Sequence, residues 1–415
     1  MIKKIITISL LTLPFLLGAQ GFQVNLQGQV QQGMAGAGTG LIQDGAAVFF
    51  NPGGVTFLKE NSITAGATAT IANGEYLDAP SGAVSRTNNP ISTPFAAYAV
   101  FGCNKDSSKF ISKFKFGVGV YTPFGSTARW EDGWTGRFAL TSLKLQSIFF
   151  QPTVSYKICN KLGFGAGLVY AYGNVELKQD IPLYSNSNTN GGYGSADLKG
   201  TAGGWGYNLG LYYTPTEKLS IGLTYRSQVN MALSSGTANF TVPASVASNF
   251  PSGPFSSSIP LPQVLTLGFG YKVNTKLSLA LDVNYVGWKA YDTLSFDYKN
   301  NTPILKDTKL PRDYHNTFAF RLGGQYHITE KFTVRAGVAL SLTPISNGYV
   351  TPELPDANKV NLTCGVGYKV CNRFRIDASY TFENLKRTDN NTNLQLNGTY
   401  KTYLSAPGLS LTYKF

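Results

Sequence analysis

Apolar and polar residues alternate along most of this chain with a period of two. Leu219, Ile221, Leu223 and Tyr225 interleave with Ser220, Gly222, Thr224 and Arg226. Leu277, Leu279, Leu281, Val283 and Tyr285 do the same with Ser278, Ala280, Asp282 and Asn284. So do Phe374, Ile376, Ala378, Tyr380 and Phe382 with Arg373, Arg375, Asp377 and Ser379. This period predicts strands with one apolar and one polar face. Several runs exceed the usual strand of about 5–6 residues. They suit a tilted membrane crossing of ~9–11 residues with overhang.

The turns between these runs repeat. Tyr156-Lys-Ile-Cys-Asn-Lys-Leu162 has a near-copy at Tyr368-Lys-Val-Cys-Asn-Arg-Phe374. Relatives occur at 213–219, 271–277 and 326–332, with a looser version at Phe101-Gly-Cys-Asn-Lys. Each has an aromatic residue, a short polar turn with a cation, then an apolar residue. Longer Gly/Ser/Asn/Pro-rich stretches at 74–92, 123–139, 178–200, 234–259, 299–314, 345–358 and 386–398 alternate with them. Short turns at one end and long loops at the other are the pattern of an outer-membrane barrel. Six turns and seven loops join fourteen strands, so both chain ends lie on the short-turn side. A tyrosine beside each turn would sit at the membrane–water boundary. A soluble multi-hairpin β-protein is the alternative.

The N-terminus changes the picture. Lys3 and Lys4 precede the apolar run Ile5 to Leu17, followed by Gly18-Ala19-Gln20. At ~1.5 Å per residue that run is too short for a hydrocarbon core of about 30 Å. It predicts a secretory signal peptide over residues 1–20, cut after Ala19 or Gln20. Composition agrees with an exported barrel: 14% charged, 43% hydrophobic, mean hydropathy −0.07. In a barrel only alternate residues face lipid, so the mean stays near zero. Disorder needs more charge and fewer aromatics, and no mature segment offers ~20 consecutive apolar residues for a helical span. Formal net charge is +13 and becomes +11 once Lys3 and Lys4 are removed. That surplus suits anionic lipid or anionic solutes, or scattered solvated loop charges.

Residues 61–415 account for the barrel, with Asn61 to Ala72 as its first strand. Eight strands can be filled by their own side chains, whereas sixteen to eighteen leave an aqueous channel. Fourteen therefore leave a sizeable lumen. The Gly/Gln/Ala-rich segment 21–60 lacks strand alternation and is read as a hatch inside it. A disordered tail is the alternative, but Phe22, Leu41, Ile42, Val48, Phe49 and Phe50 are apolar for water.

Within the hatch, Gly21-Phe-Gln-Val-Asn25, Gly33-Met-Ala-Gly-Ala-Gly38, Asp44-Gly-Ala-Ala-Val48 and Asn51-Pro-Gly53 resemble the FadL-type outer-membrane transporters. The resemblance continues through Tyr121-Thr-Pro-Phe-Gly125, Trp134-Thr-Gly-Arg137, Gly204-Trp-Gly-Tyr-Asn-Leu-Gly210 and Tyr225-Arg-Ser227. Leu261-Pro262, Gly287-Trp288 and Leu354-Pro-Asp-Ala-Asn-Lys359 are similar to later signatures. The family carries long-chain fatty acids or aromatic hydrocarbons. The resemblance implies passive uptake in the bacterial outer membrane. Ligand passes from an extracellular groove to a pocket at the hatch N-terminus, then sideways into the membrane at a kink in the third strand. It puts Phe22 near the pocket and Asn51, Pro52 and Gly53 in the hatch motif, where Gly53 replaces the usual Ala. Pro123 cannot donate to a neighbouring strand, so it either breaks the third strand or ends it. Tyr172 and His315 align near the family's carboxylate-binding cations, with Arg137, Arg226 and Arg321 as further candidates. Partners implied are a hydrophobic ligand and outer-membrane lipid. The ending Leu409-Ser-Leu-Thr-Tyr-Lys-Phe415 resembles the signal read by the barrel assembly machinery. The runner-up function is a general diffusion porin or a structural surface barrel.

Other chemistries find little support. Two histidines, His315 and His327, are too few for a His-based metal site. Asp313 beside His315 lacks a nucleophile motif, so no enzyme and no cofactor are expected. The Gly-rich hatch has no GK[ST] element, and no basic patch supports nucleic-acid binding. Gly163-x-Gly-x-Gly167 is expected to ease close packing or curvature. The cysteines 103, 159, 364 and 371 fix no disulfide pairing by motif or spacing.

Overall fold

In the computed structural model, Ser62–Thr68 pairs antiparallel with Phe95–Gly102 on one side and with the final strand, Leu396–Lys414, on the other. That last pairing closes a barrel of fourteen antiparallel strands. The structure describes residues 21–102, 110–183 and 192–415. The expected signal peptide, Cys103 and its turn lie outside the described residues. Cys159, Cys364 and Cys371 are unpaired and exposed.

The period-two pattern resolves into an outer and an inner face. On the fifth barrel strand, Leu162–Pro182, Leu168 and Tyr170 face outward while Val169 and Ala171 are buried inside. The exposed outer apolar band includes Leu168, Leu362 and Leu409, as a lipid-facing wall requires. The expected short turns fall where the sequence puts them, at 159–162, 213–219, 272–277, 327–332 and 369–374.

The long loops differ from expectation. Much of 178–200 and 386–398 is hydrogen-bonded strand, within Leu162–Pro182, Tyr193–Tyr213, Phe374–Asn391 and Leu396–Lys414. The reason is an inversion of phase. Near the lipid the apolar residues point outward. Above it Val175, Leu177, Leu198 and Leu233 point inward and pack with Phe255, while Glu176, Lys178 and Lys199 take the outer face. The first strand also runs further than 61–72. It breaks at Ala69-Thr70 and resumes as Ile71–Asp78.

Residues 21–58 cross the barrel interior, with short helices Gln29–Gln32 and Ala47–Phe50 and a 3-10 turn Pro52–Phe57. Glycine permits the closest approaches. A Cβ on Gly53 would stand 2.7 Å from the carbonyl oxygens of Gly163 and Gly210. One on Gly165 would stand 2.4 Å from the Pro52 backbone. The glycine run at 163–167 is thus a seat for the 52–53 backbone. Polar ties complete the fit. Asp282 accepts the Gly38 and Thr39 amides at 2.9 Å each, and Arg375 pairs with Asp44 at 3.3 Å.

Candidate functional site

The extended segment Gly21–Asn25, joined to the wall by one isolated bridge at Gln23, separates two cavities. The smaller, about 70 Å³, is lined by apolar side chains including Phe22, Phe124, Leu143, Met231, Leu261 and Leu294. Its charged lining residues among those described are Arg312 and Glu353, paired at 2.8 Å and both nearly buried. Burial opposes charge on Arg312, but Glu353 and the Tyr291 and Tyr314 rings hold it, so its pKa lies above the ordinary arginine value. The larger cavity is about 570 Å³, within the usual size of ligand pockets. It runs past Gln32 and Ala35 to Asn89–Pro94 and Thr122–Ala128 in the barrel wall.

That wall is incomplete. The second and third barrel strands pair from Gly102↔Lys115 up to Ala96↔Tyr121, with Thr122 N–H donating to Phe95 O at 3.2 Å. They meet again at Thr87↔Trp130 and Asn88–Arg129. Between Asn89–Pro94 and Pro123–Ala128 the backbone ladder is missing, a stretch of about 20 Å at ~3.3 Å per residue. Ser92 Oγ donates to Thr127 Oγ1 at 3.4 Å across it. Pro90, Pro94 and Pro123 lie in these segments, and proline cannot donate to a ladder. The third strand resumes as Gly125–Arg129, so Pro123 interrupts the strand rather than ending it.

The N-terminal segment docks on that interruption. Val24 N–H donates to Pro123 O at 2.8 Å, and Gly125 N–H donates to Phe22 O at 3.1 Å. Phe22 is buried against Trp288 and Tyr291, with ring centroids 6.4 and 5.8 Å away. Gly21 N–H donates to Asp356 Oδ2 at 3.2 Å. Burial pushes the Asp356 carboxyl up to about 6, against the pull of Lys359 and the Gly21 amide.

The residues expected at the site divide. Phe22 lines the smaller cavity, and Pro123 carries the carbonyl that holds Val24 beside it. Asn51, Pro52 and Gly53 lie at the short-turn end and bind the wall, not the cavities. Asn51 Nδ2 donates to Leu211 O at 2.9 Å and Thr39 O at 3.1 Å, while its Oδ1 accepts Gly53 N–H at 3.0 Å. Ser155 Oγ donates to Pro52 O at 2.7 Å. Arg137 sits in a loop, 3.6 Å from Asp180 and over Phe138 and Tyr193. Two expectations need correction. Tyr172 shares the parity of Leu168 and Tyr170 and points outward. His315 is exposed in a loop, its amide bonded to Pro344 O. Tyr172 misses the interior because one residue of strand register exchanges the two faces, and His315 because it lies in the loop before Thr317–His327. Arg226 and Arg321 do face inward, where they hold Phe49 O and Ala35 O of the N-terminal segment. Sequence reasoning missed the Arg312–Glu353 pair. Its members are 41 residues apart in chain number, with no local pattern to join them.

The family described as outer membrane protein transport protein (OMPP1/FadL/TodX) matches residues 14–415. An outer membrane protein of Neisseria meningitidis serogroup B is 26% identical, covering 96% of this chain and 95% of that one. A Pseudomonas aeruginosa FadL homologue shares the fold with a TM-score of 0.82 at 21% identity, over 95% of this chain and 100% of that one. The Pseudomonas putida toluene transporter TodX does so at 0.71 and 18% identity, over 95% and 99%. The chain belongs to the OMPP1/FadL/TodX family of outer-membrane transport proteins, transporters of hydrophobic compounds seated in the bacterial outer membrane.

Proposed function

We propose that this protein takes up hydrophobic compounds passively and releases them sideways through the gap between the second and third strands. The observation that carries the reading is the continuity of parts. The apolar cavity, the segment 21–25, the larger cavity and the missing ladder adjoin one another. Apolar burial supplies the affinity. Each buried CH₂ contributes ~0.8 kcal/mol, so ten methylenes give about 8 kcal/mol before ordering costs, roughly micromolar binding. The Arg312–Glu353 pair is already neutralised, which favours ligands uncharged at the end that enters the smaller cavity. Long-chain hydrocarbons, aromatic hydrocarbons and neutral amphiphiles fit that chemistry better than a carboxylate held there. The segment crossing the lumen argues against a general diffusion porin. In this reading residues 21–60 act as a movable hatch, and exposed Phe415 serves barrel assembly.

A reversible staple tests lateral release. Ser92→Cys and Thr127→Cys, in a chain whose native cysteines are Ser, put two thiols across the gap. Uptake of a hydrophobic probe by a null strain should be lost on oxidation and return on reduction. Full uptake with the staple closed would rule out this exit.

A further inference from the structure

The outer face carries charge on one side of the barrel, just above the aromatic and apolar band. Two groups of cross-strand neighbours define it. Lys386 lies opposite Lys401, Lys401 opposite Glu75, and Glu75 opposite Arg86. These alternate with the buried Leu385, Tyr400, Tyr76 and Ser85 and so point outward. Further round, Lys144 lies opposite Glu176 and Glu176 opposite Lys199, while Lys178 lies opposite Asp197. Exposed Arg129 and Glu131 join the two rows beside Arg86. The belt holds seven cations and four carboxylates. The same rows continue onto the next strand as Thr237 and Asn239, opposite Lys199 and Asp197, and the charge stops there.

Its height is set by its neighbours. Tyr403 is two residues below Lys401 on the same outer face, and Phe382 is four below Lys386. On the fourth barrel strand, Ser142–Cys159, and on the fifth, Phe150 and Tyr172 are each six residues below Lys144 and Lys178. Tyrosine rings favour the membrane–water boundary, so the Lys386–Lys401 row stands at headgroup level and the Lys144–Lys178 side rises above it, by up to about 20 Å along the strand.

The acids do not neutralise it. Glu75 pairs with Arg86 at 3.0 Å, and Glu176 and Asp197 pair with Lys178 and Lys199 at 2.9–3.7 Å. That leaves Arg129, whose Nε donates to Asn88 O at 2.8 Å, and Lys386, Lys401 and Lys144, whose side chains make no hydrogen bond or ion pair among the described residues. Like charges directly opposite on neighbouring strands repel. Holding Lys386 and Lys401 face to face at headgroup level is favourable when an anion lies between them. Ammonium groups bind phosphate through short charge-assisted hydrogen bonds, and lipid headgroups can present phosphate at this height.

We infer that this belt binds a phosphate-bearing glycolipid of the outer leaflet, on the side of the barrel where the gap between the second and third strands opens. The inference does not depend on transport. The full chain in detergent is mixed with bisphosphorylated lipid A or with its dephosphorylated form, and the lipid retained on gel filtration is measured. The phosphorylated form should be retained at least tenfold better. That excess should fall as salt screens the charges. The variant carrying Lys386→Gln, Lys401→Gln and Lys144→Gln should retain both forms equally. Lys309→Gln, an outward cation on the other side, should behave as the unmodified chain. Inorganic phosphate at equal concentration should not displace the lipid. Equal retention of the two lipids by the unmodified chain would overturn the inference. So would an undiminished excess in the triple variant, or full displacement by inorganic phosphate. All substituted side chains face outward, and the gel mobility of the folded barrel checks each variant.

Discussion

The amide of Val24 donates to the carbonyl of Pro123 at 2.8 Å. This bond ties the N-terminal segment to the point where the third barrel strand is interrupted. Pro123 has no N–H of its own, and the missing ladder with the second strand begins there. The segment that covers the apolar cavity and the gap in the wall therefore share one piece of backbone.

Val24→Pro removes that donor and leaves the rest of the segment's packing in place. Hydrogen exchange at Phe22, Gln23 and Asn25 should speed up by about tenfold, the loss of one bond worth ~1 kcal/mol or slightly more. Exchange in the barrel strands should not change. Unaltered protection at Phe22 would mean that ring packing alone holds the segment.

Phe22→Ala tests that packing. The ring lies among Trp288, Tyr291 and Phe124. Truncating a buried Phe costs about 3–5 kcal/mol, here charged to the docking of the segment. The smaller cavity should enlarge towards the larger one, and a bound hydrocarbon should dissociate faster. Native mass spectrometry of the detergent-solubilised protein should find less co-purified lipophile than in the unmodified chain. An equal amount would place the ligand elsewhere.

Glu353→Gln leaves Arg312 without its 2.8 Å partner in an apolar cavity. A buried charge that has lost its partner is strongly unfavourable, and a fatty-acid carboxylate can supply the missing anion. Affinity for a sixteen-carbon acid should rise at least tenfold, ~1.4 kcal/mol. Affinity for the matching alcohol should not rise. Calorimetry with both ligands reads the difference, and equal changes would show that neither ligand end reaches Arg312.

The strand faces and the short turns were legible because lipid enforces one simple rule, apolar outward. That rule inverts above the membrane. Leu177 and Leu198 then point in while Lys178 and Lys199 point out, and the extended hairpins resemble loops when judged by the membrane's phase. The same parity decides Tyr172. The family resemblance puts it near the interior, but its neighbours Leu168 and Tyr170 fix it outside. Gly163 and Gly165 were visible as small residues, yet their purpose, to receive Pro52 and Gly53, needs the fold. Arg312 and Glu353 become partners only when two loops meet over Phe22.

The last relationship is pH-dependent. Asp356 is buried and accepts from Gly21 N–H and Thr343 Oγ1, each at 3.2 Å. Its carboxyl is pushed up to about 6 from an ordinary 3.8, chiefly by burial. Between those values the folded chain keeps a proton that the unfolded chain has released. Stability therefore falls as pH rises through that window, and the full cost is present above it. At ~1.4 kcal/mol per unit this amounts to about 3 kcal/mol. Asp356→Asn removes the ionisation and keeps an oxygen that can accept from both donors. The variant should unfold at a higher temperature than the unmodified chain at pH 8, with the difference shrinking towards pH 4. Thermal loss of the compact barrel's gel mobility follows both proteins across the range. A variant less stable at pH 8, with no narrowing of the difference in acid, would mean that the ionised Asp356 is the form that anchors Gly21.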